Sequence, residues 1–201
     1  RGSTAAPAWL HVRLAGVPGG LSGDEDDEQP RWISAMFTGK KTAVRICGLY
    51  LPNGNPVPGP KYDYKLSWME RLKARAEALL DQEEPALMAG DYNIIPQPED
   101  AAKPDSWRED ALFRLDSRSA FRRITHLGFT DAFRTRTSAP GHYSFWDYQA
   151  GAWQRNNGIL IDHILMTPQC ADLMTDAGIE KELRGRDKPS DHVPVWVDLD
   201  A

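Results

Sequence analysis

Near the carboxyl end of the chain, Lys188-Pro-Ser-Asp-His192 sets a carboxylate and an imidazole side by side. An alternating run follows, with Val193, Val195, Val197 and Leu199 set against Pro194, Trp196 and Asp198. That period reads as a half-buried strand, so a loop delivers Asp191 and His192 to the mouth of a sheet. Asp162 stands inside a second apolar run, Ile159 to Met166, where a lone acid is costly to bury unless a partner such as an imidazole meets it. An Asp-held His beside a free Asp could orient a water or grip a phosphate oxygen. The bland alternative is a turn built on Ser190 and Asp191, with Asp162 satisfying a backbone donor. Farther upstream, Asp91-Tyr-Asn93 follows the short apolar run Pro85 to Gly90. A strand that hands over to Gly-Asp-x-Asn can place oxygen ligands at the carboxyl end of a sheet, although Asp and Asn also favour Asx turns.

These groups must be positioned by the elements around them. Residues 1–23 scatter Gly, Ala and Pro among isolated apolar residues, and no regular element is expected there. Trp32 to Phe37 and Ala43 to Leu51 read as the two strands of a hairpin turned at Thr38 to Lys41. The loop Pro52 to Pro60 is too rich in Pro and Gly to continue the second strand, which leaves Tyr50 at its end. Between Lys61 and Gln82, the positions Tyr64, Trp68, Leu72, Ala76 and Leu79 recur every three or four residues, with Lys65, Glu70, Arg71, Lys73 and Glu77 elsewhere, the period of an amphipathic helix. Pro96 to Arg114 reads as a long surface loop, Asp116 to Leu127 as a helix stopped by Gly128, and Tyr143 to Tyr148 as an aromatic strand. Ile159 to Met166 is the next strand, and Pro168 opens a short helix to Thr175. A loop rich in Arg and Lys then leads to Asp191.

A chain of 201 residues with 41% hydrophobic content can bury one sizeable core, and it shows no internal repeat or domain linker. No apolar stretch is long enough for a membrane span and no signal peptide is evident, so a cytoplasmic address is expected. Cys47 and Cys170 are too few and too far apart for a zinc ribbon or a disulfide framework. The net charge of -5 argues against a broad basic face that coats nucleic acid without regard to sequence. A local phosphate site is compatible with it, because the acidic run Asp24 to Glu28 accounts for most of that charge.

Five strings in order carry a family resemblance: Leu49-Tyr-Leu-Pro-Asn-Gly54, Gly90-Asp-Tyr-Asn-Ile94, Ser144-Phe-Trp-Asp-Tyr148, Ile161-Asp-His-Ile-Leu165 and Asp187-Lys-Pro-Ser-Asp-His192. Together they resemble the exodeoxyribonuclease III type of abasic-site endonucleases, within the endonuclease/exonuclease/phosphatase group, over about Asp24 to Leu199. The resemblance implies an α/β fold: a DNase I-like sandwich of two mostly antiparallel sheets flanked by helices, occupying residues 24–201. It implies a magnesium-dependent phosphodiesterase, manganese being an alternative ion, that cuts double-stranded DNA 5′ to abasic sites and removes nucleotides from 3′ ends. On that pattern Asp91 accepts a proton from water, Asn93 holds the water or a phosphate oxygen, His192 oriented by Asp162 donates to a non-bridging oxygen, and Tyr50 acts on the leaving side. Asp91, Asn93, Asp191 and His192 are the candidate metal ligands, hard oxygen donors predominating. Asn53, Trp146, Arg155 and Lys188 are candidate substrate contacts, with Arg184 and Arg186 as further phosphate-facing cations.

The sequence departs from the family in two respects, the smaller being Leu160, where a basic residue is usual. The Trp-Asn-Ile-Asn and Gln-Glu strings that carry an Asn and the principal metal-binding Glu have no counterpart; the one Gln-Glu pair, Gln82-Glu83, falls at a helix end. The expectation is an N-terminally incomplete domain with weakened magnesium affinity and impaired activity, a monomer able to self-associate through uncovered sheet surface. Two alternatives stay open: a phosphoesterase of the same superfamily with another substrate class, or a non-catalytic fragment that binds abasic DNA.

Overall fold

The computed structural model describes residues 20–201, so the irregular segment expected over residues 1–23 lies outside the described residues up to position 19. A β-hairpin comes first, β1 (Trp32–Thr38) and β2 (Ala43–Tyr50), followed by helix α1 (Pro60–Leu80) and β3 (Ala86–Asp91). Helix α2 (Leu115–Thr125), the two-residue β4 (Thr130–Asp131) and β5 (Asp162–Met166) come next. The chain closes with the short α3 (Pro168–Ala171), β6 (Met174–Ile179) and β7 (Val195–Leu199). The first five strands form one sheet in the order β1-β2-β3-β5-β4, and β6 and β7 pair as a second. Only β2 and β3 are parallel; α1 is the crossover that such a pair requires.

Period-two alternation sorts the large sheet's side chains onto two faces. Cys47, Leu49, Met88 and Leu165 point toward the helices and join Trp68, Leu72, Leu79, Phe121 and Ile124 in the main core. Val44, Leu87, Ile164 and Met166 point the other way, onto Ala177, Val195, Val197 and Leu199 of the small sheet. The molecule is therefore helices on sheet on sheet, the layered sandwich anticipated from the sequence. Helix α1 starts at Pro60, whose fixed φ suits the first helical position. Its buried stripe of Tyr62, Lys65, Trp68, Met69, Leu72, Ala76 and Leu79 follows the anticipated spacing from Trp68 onward, but Tyr64 is only partly buried and Lys65, expected off the apolar face, is fully buried. Full burial of each large apolar member contributes about 1.5–3 kcal/mol.

One glycine fixes the seam between β2 and β3. A Cβ on Gly90 would lie 1.9 Å from the Leu49 carbonyl oxygen, so only glycine lets these backbones close at the level of the site. Strand β1 is a sheet edge that leaves Ile33 and Met36 exposed. No helix of the described residues is long and apolar enough to cross a membrane.

Three expectations are corrected. The segment 96–114 contains two short 3-10 turns, Pro98–Asp100 and Pro104–Trp107. It is not a surface loop throughout, because Ala101, Leu112 and Phe113 are buried against Ile159 and Ile161. The aromatic stretch Tyr143 to Tyr148 is not a strand; Phe145 makes only isolated bridges to Ile159 and His192. The helix opened by Pro168 ends at Ala171, and Thr175 belongs to β6, which the sequence reading missed. Gly178 and Asp176 are poor strand formers, but the indole of Trp196 lies against Gly178, where a Cβ would meet it at 2.6 Å. Packing thus overrides propensity.

Candidate active site

Sheet register assembles the site. Tyr50 pairs with Asp91 across β2 and β3, and Asp91 pairs with Asp162 across β3 and β5. Directly paired residues present their side chains on one face, so a phenol and two carboxylates stand in a row across three adjacent strands. His192 joins them from the loop before β7: its Nδ1 lies 2.8 Å from Asp162 Oδ2. That carboxylate oxygen also accepts from Ser144 Oγ at 2.6 Å. The Ser144 hydroxyl in turn accepts from the backbone N–H groups of Ile161 and Asp162 at 3.2 and 3.1 Å. Asp162 is thereby fixed on one side and orients the imidazole on the other, leaving Nε2 of His192 free to face a substrate. The ring edge of Phe145 packs against the imidazole, with centroids 5.0 Å apart.

On the opposite side of Asp91 the loops form an amide network. The Asn93 backbone N–H donates to Asp91 Oδ1 at 2.7 Å, and its side-chain amide donates to Asp91 Oδ2 at 3.0 Å and to the Leu51 carbonyl at 2.9 Å. The Asn53 amide donates to Asn93 Oδ1 at 3.1 Å. Asn93 takes a positive φ of 47°, a left-handed conformation that Asn tolerates better than most residues and that aims its side chain back over Asp91.

The electrostatics separate the two principal groups. Burial, reinforced by the charge of Asp162, pushes the Asp91 carboxyl up to about 6 despite opposing help from Asn93, His192 and Lys65. For His192, burial favours the neutral ring. The hydrogen bond and charge of Asp162, with the charges of Asp91 and Asp191, outweigh it and raise the imidazole above its ordinary value. A carboxylate poised to accept a proton therefore stands near an imidazole biased toward carrying one.

Tyr50, Asn53, Asp91, Asn93, Asp162 and His192 are thus gathered at one end of the large sheet, with Asp191 beside His192. Tyr50 is exposed, and Arg31 lies over its ring at 5.1 Å. Trp146 requires correction as a substrate contact: its ring is fully buried, donating to Asn156 and packed against Trp153, so it supports the loop from beneath. The half-buried Phe145 takes the exposed place next to His192. Arg155 and Lys188 are exposed on two loops that the Tyr148 hydroxyl joins by donating to the Pro189 carbonyl at 2.9 Å; neither bonds to the central row. Arg184 is buried and donates to the Trp146 carbonyl, a structural use. Sequence reasoning missed Ser144, although it stands in one of the quoted strings, and Lys65, whose charge in an apolar helix stripe was the available signal. It also gave His163 no role. This buried ring faces Asp131 Oδ2 and the Ile94 carbonyl, each at 3.3 Å, and braces β5 from behind.

A divalent cation is poorly served by these residues. Among the described residues no three His, Cys, Asp or Glu side chains come together closely enough to hold a metal ion. The expected set Asp91, Asn93, Asp191 and His192 is thus not brought together as a metal-ligand cluster among the described residues.

Residues 10–192 match the model of the Endonuclease/Exonuclease/phosphatase family. An exodeoxyribonuclease of Bacillus subtilis is 33% identical over 177 residues, covering 88% of this chain and 66% of that protein. The chain thus spans just under two thirds of that relative's length. An AP endonuclease from Archaeoglobus fulgidus superposes with a TM-score of 0.81 at 33% identity, covering 92% of this chain and 71% of that one. A 3′ phosphatase from Neisseria, bound to a product DNA hairpin, superposes with a TM-score of 0.84 at 32% identity and the same coverage.

Proposed function

Taking as premise that this chain belongs to the endonuclease/exonuclease/phosphatase family, we propose that it is a DNA-repair phosphodiesterase, cutting duplex DNA 5′ to abasic sites and removing nucleotides from 3′ ends. The observation that carries this reading is the single row of Tyr50, Asp91 and Asp162 across three strand ends, completed by His192 at 2.8 Å from Asp162. In the proposed cut, a water oxygen bonds to phosphorus and the bond from phosphorus to the 3′ oxygen breaks. Asp91 takes the water's proton. A carboxyl titrating near 6 is about nine-tenths ionised at pH 7 while keeping more basicity than an ordinary carboxylate. His192 donates from Nε2 to a non-bridging oxygen and offsets the charge that grows there. The Asn93 amide, pinned by Asn53 and Leu51, orients the water, and the exposed Tyr50 hydroxyl donates a proton to the departing 3′ oxygen.

The likeness to a 3′ phosphatase favours a second use of the same groups, in which a 3′ phosphate monoester replaces the internal diester. The test is a duplex with one abasic-site analogue and a second bearing a 3′ phosphate, each incubated with excess protein with and without magnesium. Cleavage that disappears with His192→Ala supports the assignment. No turnover of either duplex under any of these conditions refutes it.

A further inference from the structure

The site's most unusual neighbour is a lysine that no substrate can touch. Lys65 lies in the buried stripe of α1 with no exposed surface, and its Nζ donates to two main-chain carbonyls, Asn93 at 2.7 Å and Asn53 at 3.0 Å. One carbonyl belongs to the loop that leaves β2 and the other to the exit of β3. We propose that Lys65 is a positioning residue: by holding both carbonyls it locks the two loops together and fixes the Asn53 and Asn93 amides over Asp91. This inference rests on the nuclease assignment for its rate effect but not for its geometric content.

Three observations converge on it. The two residues whose carbonyls Lys65 grips are the same two whose side chains bond to each other at 3.1 Å, so the clamp acts on both ends of that contact. The positive φ of Asn93 turns its carbonyl down to Lys65 while its N–H and amide turn up to Asp91; the backbone conformation is shared between the clamp and the base. The loop is also shaped to the lysine stem, since a Cβ on Gly54 would lie 2.6 Å from Lys65 Cδ. The Asn93 carbonyl, buried without a donor, would otherwise be costly. Burial pushes the ammonium down to about 7, against the pull of Asp110 and Asp91. The clamp does not depend on that titration, because a neutral amine still carries two N–H donors for the two carbonyls. A role as a DNA-phosphate contact is excluded by its complete burial.

Lys65→Met keeps the stem and deletes the donors. Single-turnover cleavage is expected to fall roughly 10- to 100-fold, the order of loss when a change away from the chemistry misplaces the reacting groups, with the Kd for abasic duplex changing less than the rate because Lys65 itself touches no DNA. The Asn53 and Asn93 side-chain amide signals in 15N-resolved NMR should shift or broaden. Leu79→Ala, on the same helix but away from both loops, shows how much rate a merely weakened fold loses. Amide signals that stay in place, or a rate no lower than that of Leu79→Ala at equal fraction folded, overturn the proposal. Should Lys65→Met not fold, Lys65→Gln, with two N–H donors on a shorter stem, is read by the same measurements. If the unmodified protein cuts no DNA, the nuclease assignment fails on that result, and the amide signals alone decide the positioning claim.

Discussion

Replacing Asp162 by Asn isolates the interaction on which the proposed chemistry turns. The change preserves shape and removes one negative charge from a carboxylate that accepts from Ser144 at 2.6 Å and faces His192 Nδ1 at 2.8 Å. Both contacts are partly buried, and a hydrogen bond to a charged group in such a setting contributes about 1.5–3 kcal/mol, or roughly 10- to 150-fold in rate if it is needed only when His192 donates to the developing charge. An amide can also present N–H to the imidazole and select the wrong tautomer, which pushes the loss toward the upper end. The pH profile gives the sharper signature. On the proposed chemistry the cut requires Asp91 ionised and His192 protonated, so the single-turnover rate is expected to be bell-shaped, its acid limb set by Asp91 near 6 and its alkaline limb by the raised imidazole. In Asp162→Asn the alkaline limb moves to lower pH while the acid limb does not rise. The stability linkage has the same sign. A His raised above its unfolded value of about 6.5 stabilises the fold fully below that pH and loses this contribution as pH rises through the raised value. The mutant lacks that contribution, so its deficit is largest in acid and shrinks toward alkaline pH. Rates between pH 5.5 and 9 and imidazole titration by NMR test both statements. A mutant with a rate within twofold of the parent and an unmoved alkaline limb would show that Asp162 does not orient His192.

The other perturbations are simpler. Asp91→Asn should abolish cleavage yet stabilise the fold above about pH 6. A carboxyl raised from its unfolded value to about 6 costs folding energy once the unfolded chain ionises, so removing it returns up to about 3 kcal/mol; thermal melts at pH 5 and pH 8 measure this, and equal midpoint shifts at the two pH values would refute it. Gly90→Ala places a Cβ 1.9 Å from the Leu49 carbonyl oxygen and should destabilise by more than about 3 kcal/mol, read as a collapse of the urea midpoint. Magnesium, lacking a cluster of three ligands among the described residues, should bind in isothermal titration only on the order of millimolar. Micromolar affinity would contradict that reading of the site.

The sequence by itself determined the hairpin, the long helix and the strand endings. Hydrophobic period and turn chemistry are local, and they placed Tyr50, Asp91, Asp162 and His192 at element boundaries before any fold was known. The five ordered strings likewise identified the family. What they could not determine was which of these side chains share a level of the sheet, because pairing Tyr50 with Asp91 and Asp91 with Asp162 is a fact of register between strands far apart in the chain. Nor did they separate Trp146 from Phe145. Both are aromatic neighbours in one string, yet packing against Trp153 buries the first completely and leaves the second beside His192. The roles of Lys65 and Ser144 were not legible for a related reason: an ammonium or a hydroxyl acquires its role from the carbonyls and carboxylates around it, and those are supplied only when the chain closes on itself. Periodicity is written into neighbouring residues, whereas desolvation and hydrogen-bond partnership belong to groups that meet only in the folded molecule.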